Sequence, residues 1–309
     1  METIIGIDIG GTAIKMALFS ENQQLLDKWS IPTNSRNNGT MIPETIITSI
    51  KKKLNENGLS LSALKGIGIG VPGPVNETVV KRAVNLGWID FPLKQIIEAA
   101  LNVPVLVMND ANAAALGELW QGAASDCQSI VFATIGTGVG GAVIIDGKVL
   151  NGTNASAGEI GHIPLQTREV RVCGCGNQNC LECYGSATGM IKTMNLIAGF
   201  ERVSGTKEIF DLAAQGDRQA KETIDTTIDY LAQAFAGLIN AVDPEELVIG
   251  GGVSEAGPAF LTPLQNALET YLFPEIRGKL PVRKAMLGND AGVYGAAYQV
   301  IYARGSEEP

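Results

Sequence analysis

The chain has 309 residues, 45% hydrophobic and 18% charged, which excludes a disordered protein and points to two domains. Its 37 glycines follow no Gly-X-Y period, which excludes a collagen-like chain. A formal charge of −9, with no basic run longer than Lys51-Lys52-Lys53, which reads as a solvated helix face, argues against a nucleic-acid partner.

The opening METIIGIDIGG carries no basic stretch and no small-residue cleavage site, so no signal peptide is expected. No run reaches ~18 apolar residues, so no membrane span is expected either, and the expected location is cytoplasmic. In chain order, Ile4 to Asp8 reads as a buried strand, Gly10-Gly11-Thr12 as a turn, and Ala13 to Phe19 as a second strand. Pro43 opens a helix with Ile46, Ile47, Ile50 and Leu54 at helical spacing, ended by Asn57-Gly58. A strand over 66–71 closes at Pro72-Gly73-Pro74. A helix over 92–101, a strand over 105–108 and a helix over 111–120 follow.

At Ile130 the opening pattern returns. A strand to Thr134 runs into Gly136-Thr137-Gly138, then a strand over 142–145, and Asp146-Gly147 is a hairpin signal with Lys148 to Leu150 returning. Asp8-Ile9-Gly10 aligns with Thr134-Ile135-Gly136 at an offset of 126 residues, the mark of a duplicated unit. Ile224, Ile228, Leu231, Phe235 and Leu238 form one face of a long helix stopped by Pro244. Leu247 to Ile249 is a buried strand ending at Gly250-Gly251-Gly252. Helices follow over 258–272 and 291–303, and a polar tail runs from Gly305 to Pro309. Strands alternating with helices imply an α/β protein with mixed sheets.

Three sets of residues have chemical potential. The turns at Gly10-Gly11-Thr12 and Gly136-Thr137-Gly138 offer backbone N–H groups and hydroxyls to an anion. Asp8 at a strand end suits Mg²⁺, and a third glycine cluster at 250–252 adds to phosphate binding. None is a Walker A, which needs GxxxxGK[ST]. Asn109-Asp110 ends a buried strand and precedes a helix. It reads as an N-cap, or as a carboxylate at the sheet edge where α/β ligands bind and a general base is useful. Cys173, Cys175 and Cys180, spaced x1 and x4 with glycines between, read as a zinc knuckle. Spacing leaves the fourth ligand open between His162, the single histidine, and Cys183.

Together these motifs resemble the ROK family of sugar kinases and sugar-responsive repressors over nearly the whole chain. The resemblance rests on Asp8-Ile9-Gly10-Gly11-Thr12, Gly70-Val71-Pro72-Gly73-Pro74, Asn85-Leu86-Gly87-Trp88 and Asn109-Asp110. It continues through Gly136-Thr137-Gly138, Gly158-Glu159-Ile160-Gly161-His162, the cysteine run with Glu182 and Ser186, and Gly250-Gly251-Gly252. It implies an actin-like ATPase (ribonuclease-H-like) duplicated fold, two lobes around a cleft. Residues 1–117 plus 294–309 would form the small lobe and 118–293 the large one with its zinc insertion. It further implies Asp110 as general base on the sugar 6-hydroxyl, with Asn85, Asn109, Glu159, His162 and Glu182 on the sugar. ATP would lie on Asp8, Gly10, Gly11, Thr12, Lys15, Gly136, Thr137, Gly138, Gly251 and Gly252 with Mg²⁺. One structural Zn²⁺ would be held by His162, Cys173, Cys175 and Cys180, His162 serving metal and sugar with different ring nitrogens.

The activity implied is ATP-dependent phosphorylation of a hexose, most closely that of the glucokinase branch, in a homodimer. Kinases of N-acetylmannosamine share nearly every motif and stand as the alternative. A sugar-sensing regulator is the third reading. Such members carry an N-terminal helix-turn-helix, for which the first phosphate motif, within ten residues of Met1, leaves no expected room.

Overall fold

The computed structural model describes residues 1–76, 78–167 and 169–305, the side chain of Arg304 aside. The expected polar tail lies outside the described residues except for Gly305, which closes the last helix. The chain divides into two compact units. One comprises Met1–Ser125, Asn151–Ala157 and the segment from Asn289 to the C-terminus; the other comprises Asp126–Leu150 and Gly158–Gly288.

In the first unit, β1 (Thr3–Ile9) is a nearly fully buried central strand rich in β-branched isoleucine. It pairs antiparallel with β2 (Ala13–Ser20), and β2 pairs antiparallel with β3 (Leu25–Pro32). Helix α1 (Ile42–Glu56) starts with Pro43 in its first turn and buries Ile46, Ile50 and Leu54. Strand β4 (Leu64–Val71) lies parallel to β1. A separate two-stranded ribbon, β5 (Val80–Ala83) and β6 (Trp88–Phe91), precedes α2 (Leu93–Leu101). Strand β7 (Val105–Asn109) runs parallel to β4 and feeds directly into α3 (Asp110–Gln121). The sheet order is β3-β2-β1-β4-β7.

The second unit repeats this plan. β8 (Ile130–Ile135), β9 (Val139–Ile145) and β10 (Lys148–Val149) form an antiparallel meander. Asp146 and Gly147 both adopt left-handed φ (51° and 74°), as a two-residue hairpin turn requires. Helices α4 (Glu182–Gly185), α5 (Ala187–Ala198) and α6 (Thr206–Ala214) precede the long α7 (Arg218–Val242). The last is N-capped by Asp217, which accepts from the Ala220 N–H at 2.9 Å, and ends at left-handed Asp243 before Pro244. Strand β11 (Glu246–Gly250), α8 (Pro258–Tyr271) and the short β12 (Val282–Lys284) complete the order β10-β9-β8-β11-β12, with β11 parallel to both β8 and β12. The two sheets therefore share one topology, and the offset of 126 residues superposes the end of β1 on the end of β8. This is the duplicated actin-like fold. Each unit has its own apolar core, in which a fully buried Ile, Leu or Phe contributes about 1.5–3 kcal/mol.

The last helix, α9 (Ala291–Gly305), belongs to the first unit. It packs on β1 and β4 and crosses α3 with the backbones almost touching. A β-carbon on Gly68 of β4 would fall 1.7 Å from the Ala296 carbonyl oxygen, and one on Gly295 would fall 1.7 Å from that of Ala113. Helix α3 lies whole within the first unit, which runs to Ser125 rather than to the expected 117, a position inside that helix. The short excursion Asn151–Ala157 joins the same unit, a feature with no hydrophobic signature of its own.

Candidate active site

In the first unit the chemistry gathers at the carboxyl ends of β1, β4 and β7. Asp8 pairs across the sheet with Gly70 and with Lys15. Burial pushes the Asp8 carboxyl up to about 6; Lys15 pulls against this and the nearby Asp110 adds to it. The Lys15 ammonium lies 4.0 Å from the Asp8 carboxylate and donates to the Asn289 carbonyl at 2.6 Å, so it ties the start of α9 to the hairpin. The Gly10 N–H donates to the Ala13 carbonyl at 3.0 Å and closes the turn, leaving Gly11 and Thr12 exposed. Above Gly11 the space is open up to Asn85, whose Cβ is 4.0 Å from the position a Gly11 β-carbon would take.

Asn109 is the N-cap of α3. Its Oδ1 accepts from the N–H groups of Ala111 (2.8 Å) and Asn112 (3.2 Å), and its Nδ2 donates to the Gly73 carbonyl (3.2 Å). Gly73 has φ 87°, and a β-carbon there would lie 2.1 Å from the Arg82 carbonyl oxygen, so only glycine fits. The Asn109 side chain thus anchors the turn at 72–74 and aims the half-buried Asp110 beside it.

In the second unit the turn Gly136-Thr137-Gly138 joins β8 to β9, with Thr137 exposed. The Gly136 carbonyl accepts from the Ala187 N–H at the start of α5 (2.8 Å). The Glu182 carboxylate lies against Gly138, its Oε2 2.7 Å from where a Gly138 β-carbon would sit. Gly251, at φ 82°, packs on the backbone of Ile135, while Gly252 is exposed. The second and third glycine clusters therefore adjoin at the ends of neighbouring parallel strands.

Glu159 is exposed at the head of a 3₁₀ turn over 160–162, and Gly161 lets this turn approach the Val139 carbonyl of β9. The turn delivers His162 to the cysteines. Ligand atoms of His162, Cys173, Cys175 and Cys180 all lie within 4.8 Å of one another; Cys183 is not in the group. Cys173 Sγ is 3.6 Å from His162 Nδ1, and Cys175 Sγ is 3.7 Å from Cys180 Sγ. A tetrahedron with zinc–sulfur bonds of ~2.3 Å and zinc–nitrogen bonds of ~2.0–2.1 Å has edges of about 3.6–3.8 Å, which these two separations match. Asn179, before the third cysteine, takes φ 59°, a left-handed turn that asparagine tolerates. Burial pushes the Cys173 and Cys180 thiols up, while donation from the Asn177 backbone pulls the exposed Cys175 down. Cys173 Sγ also lies 3.1 Å from Glu182 Oε1, so the knuckle and the expected sugar carboxylate touch.

Two residues absent from the sequence reading have a place here. Arg171, buried beneath the knuckle, reaches α4 and α5. Gly292, in the first turn of α9, abuts Asp8. The run Ala291-Gly292 to Gly295-Ala296-Ala297 is a small-residue signal that marks close helix packing.

The chain is 41% identical over 98% of its length, and 96% of the relative's, to a glucokinase of Halalkalibacterium halodurans. The crystal structure of a ROK hexokinase from Thermus thermophilus matches with TM-score 0.86 at 33% identity, covering 99% of each chain. A ROK family glucokinase from Streptomyces griseus, solved in complex with glucose and AMPPNP, matches with TM-score 0.74 at 32% identity over 96% of this chain and 98% of that one. The ROK family model itself spans residues 4–302, and with the glycine turns, Asp110 and the His/Cys knuckle all in place the chain belongs to the ROK family.

Proposed function

We propose that this protein is an ATP-dependent hexose kinase that transfers the γ-phosphoryl group of ATP to the 6-hydroxyl of glucose. The observation that carries this reading is the position of Asp110 beside Asp8. Asp110 is a half-buried carboxylate that opens α3 directly after β7, Asp8 is a half-buried one near the end of β1, and the exposed turn at Gly11 lies next to them. That pairing supplies a proton acceptor and a phosphate-and-cation site at the same edge of the sheet, on the ends of two strands that flank β4, as phosphoryl transfer requires. The glucokinase relatives, each matched over 96% of its length, support glucose as the sugar.

Asp110 takes the proton of the attacking hydroxyl. Asn109 fixes the first turn of α3 and so the direction of Asp110. Backbone N–H groups of the turns at Gly10-Gly11-Thr12 and Gly136-Thr137-Gly138 bind phosphate oxygens, and Gly251 and Gly252 make room for the nucleoside. Lys15 adds positive charge at the first turn. Asp8 fits a divalent cation, because its half-buried carboxylate remains partly accessible beside the exposed turn and is only loosely paired with Lys15, 4.0 Å away; bound Mg²⁺ would supply charge neutralisation for the triphosphate. Asn85, Glu159, Glu182 and the Nε2 side of His162 bind sugar hydroxyls. Zn²⁺ would be held by His162 Nδ1 and the thiolates of Cys173, Cys175 and Cys180, and its chemistry there is structural: it fixes the imidazole's tautomer and aim.

Among the described residues no helix is long and apolar enough to cross a membrane. Five unpaired thiols suit a reducing compartment, so the cytoplasm is the proposed location. A homodimer is the proposed assembly, to be checked by light scattering. Initial rates against glucose, mannose, fructose, N-acetylglucosamine and N-acetylmannosamine test the substrate. Preference for an N-acetylated sugar would replace glucose while keeping the chemistry, and no turnover by zinc-loaded protein would sink the kinase reading.

A further inference from the structure

We propose that Arg171 is a positioning residue for sugar recognition, locking the metal-ligand loop to the short helix that carries Glu182. The proposal rests on the hexose-kinase reading above. Arg171 is two residues before Cys173, and its side chain is only 3% exposed. A buried guanidinium is costly unless all its donors are satisfied. All five of its N–H groups are used. Nε and Nη2 donate to Glu169 Oε2 at 3.1 and 2.8 Å. Nη1 donates to the carbonyls of Cys183 (2.8 Å) and Gly189 (3.1 Å). Nη2 also donates to Thr193 Oγ1 at 3.1 Å. The guanidinium stacks over Tyr184, 4.6 Å from the ring centroid.

These contacts connect three segments. Cys183 follows Glu182, so the guanidinium grips α4 one residue from the carboxylate, while Gly189 and Thr193 place it on α5. Its own backbone holds the far end of the ligand loop. The Arg171 N–H donates to Asn179 Oδ1 (3.0 Å), and the Asn179 N–H donates to the Arg171 carbonyl (2.8 Å), next to Cys180. A lysine would bring one point charge with no planar fork and would leave carbonyls unpaired. The Tyr184 hydroxyl of α4 also meets the loop, at the Arg171 N–H, the Glu169 carbonyl and Asn179 Oδ1, so removing the guanidinium loosens α4 without freeing it, and Glu182 loses part of its fixed position against Cys173 and Gly138. Neither Arg171 nor any group it touches through its guanidinium is assigned to substrate, so the effect is on sugar affinity and not on the chemical step.

The test is a double-mutant cycle on zinc-loaded protein with Arg171→Gln, Glu182→Gln and the pair, reading glucose KM, kcat and zinc release to a chromogenic chelator. We expect R171Q to raise glucose KM about tenfold with kcat within about threefold, a split that marks lost binding. The pair should be no worse than E182Q alone, and R171K should recover only part of the loss. Additive effects, or a lowered melting temperature with glucose KM unchanged, would overturn the proposal. If R171Q does not fold, Glu169→Gln, which removes the guanidinium's charged partner, carries the same cycle and is judged by the same criteria. Absence of glucose turnover by the wild type would be a failure of the kinase reading instead. The Arg171 proposal then stands or falls on zinc release: about tenfold faster in R171Q than in E182Q supports it, and equal rates overturn it.

Discussion

The Asp8 carboxylate fills the space that a β-carbon on Gly292 would need: that carbon would lie 2.9 Å from Asp8 Cγ and 3.1–3.2 Å from its two oxygens. Gly292 is the second residue of α9, at the positive end of the helix. Gly292→Ala is expected to displace Asp8 and raise the KM for MgATP about ten- to a hundredfold, the usual scale for an ångström of misplacement. Steady-state kinetics against MgATP check this, and an unchanged KM refutes it. Because burial holds the Asp8 pKa at about 6, kcat/KM for MgATP should rise as pH increases through that value and Asp8 ionises. Lys15→Met, which removes the group pulling the pKa down, should move this limb to higher pH.

Asp110→Asn keeps the shape of the first turn of α3 and removes the proton acceptor. It should lower kcat by about 10²–10⁴-fold while calorimetry still detects glucose binding. Normal turnover by D110N would end the assignment.

Purified protein should contain one zinc per chain, measurable by emission spectroscopy. Cys175→Ser alters the exposed ligand with little disturbance of the core. It should lower zinc content and thermal midpoint together and raise glucose KM by about 10–100-fold, since the His162 ring loses its orientation. Full zinc and full sugar affinity in that variant would exclude Cys175 as a ligand.

Glu246 offers a pH test away from the site. It is fully buried at the start of β11, and burial pushes its carboxyl to about 6, only partly opposed by Arg283. Between its ordinary value and about 6 the folded state binds more protons than the unfolded one. Stability should therefore fall as pH rises through this window and be independent of this group above it. Glu246→Gln should remove that slope from denaturant midpoints taken between pH 4.5 and 6.5; an identical slope in the variant would refute the assignment.

Sequence patterning reached the elements that are apolar throughout or periodic. β1, β7 with α3, the α7 stripe and β11 all declare themselves, because burial on both faces or on one stripe leaves a local mark. β3 does not: Asp27 and Lys28 break its apolar run, as on an edge strand with one solvated face. β12 is three residues long and the β5–β6 ribbon only four per strand, too short for a pattern. In the site, glycines at strand ends and clustered thiols are legible, since few other roles explain them. Arg171 and Gly292 are not, because their partners are distant in sequence or depend on a helix crossing. Asn109 admitted two readings, and the N-cap geometry shows which atoms of its side chain are occupied.

The return of α9 to the first unit has a consequence for biosynthesis. Gly6 and Gly68 present bare backbone where that helix packs, and until it arrives β1 and β4 have one uncovered face. The ribosome must first make residues 126–288, which at about 5–20 residues per second occupies on the order of ten to thirty seconds. The second unit is completed at Gly288, only three residues before α9 begins, so the first unit's sheet stays open for the whole of that interval. The nascent first unit waits with one face of its sheet exposed, a surface on which a chaperone could act.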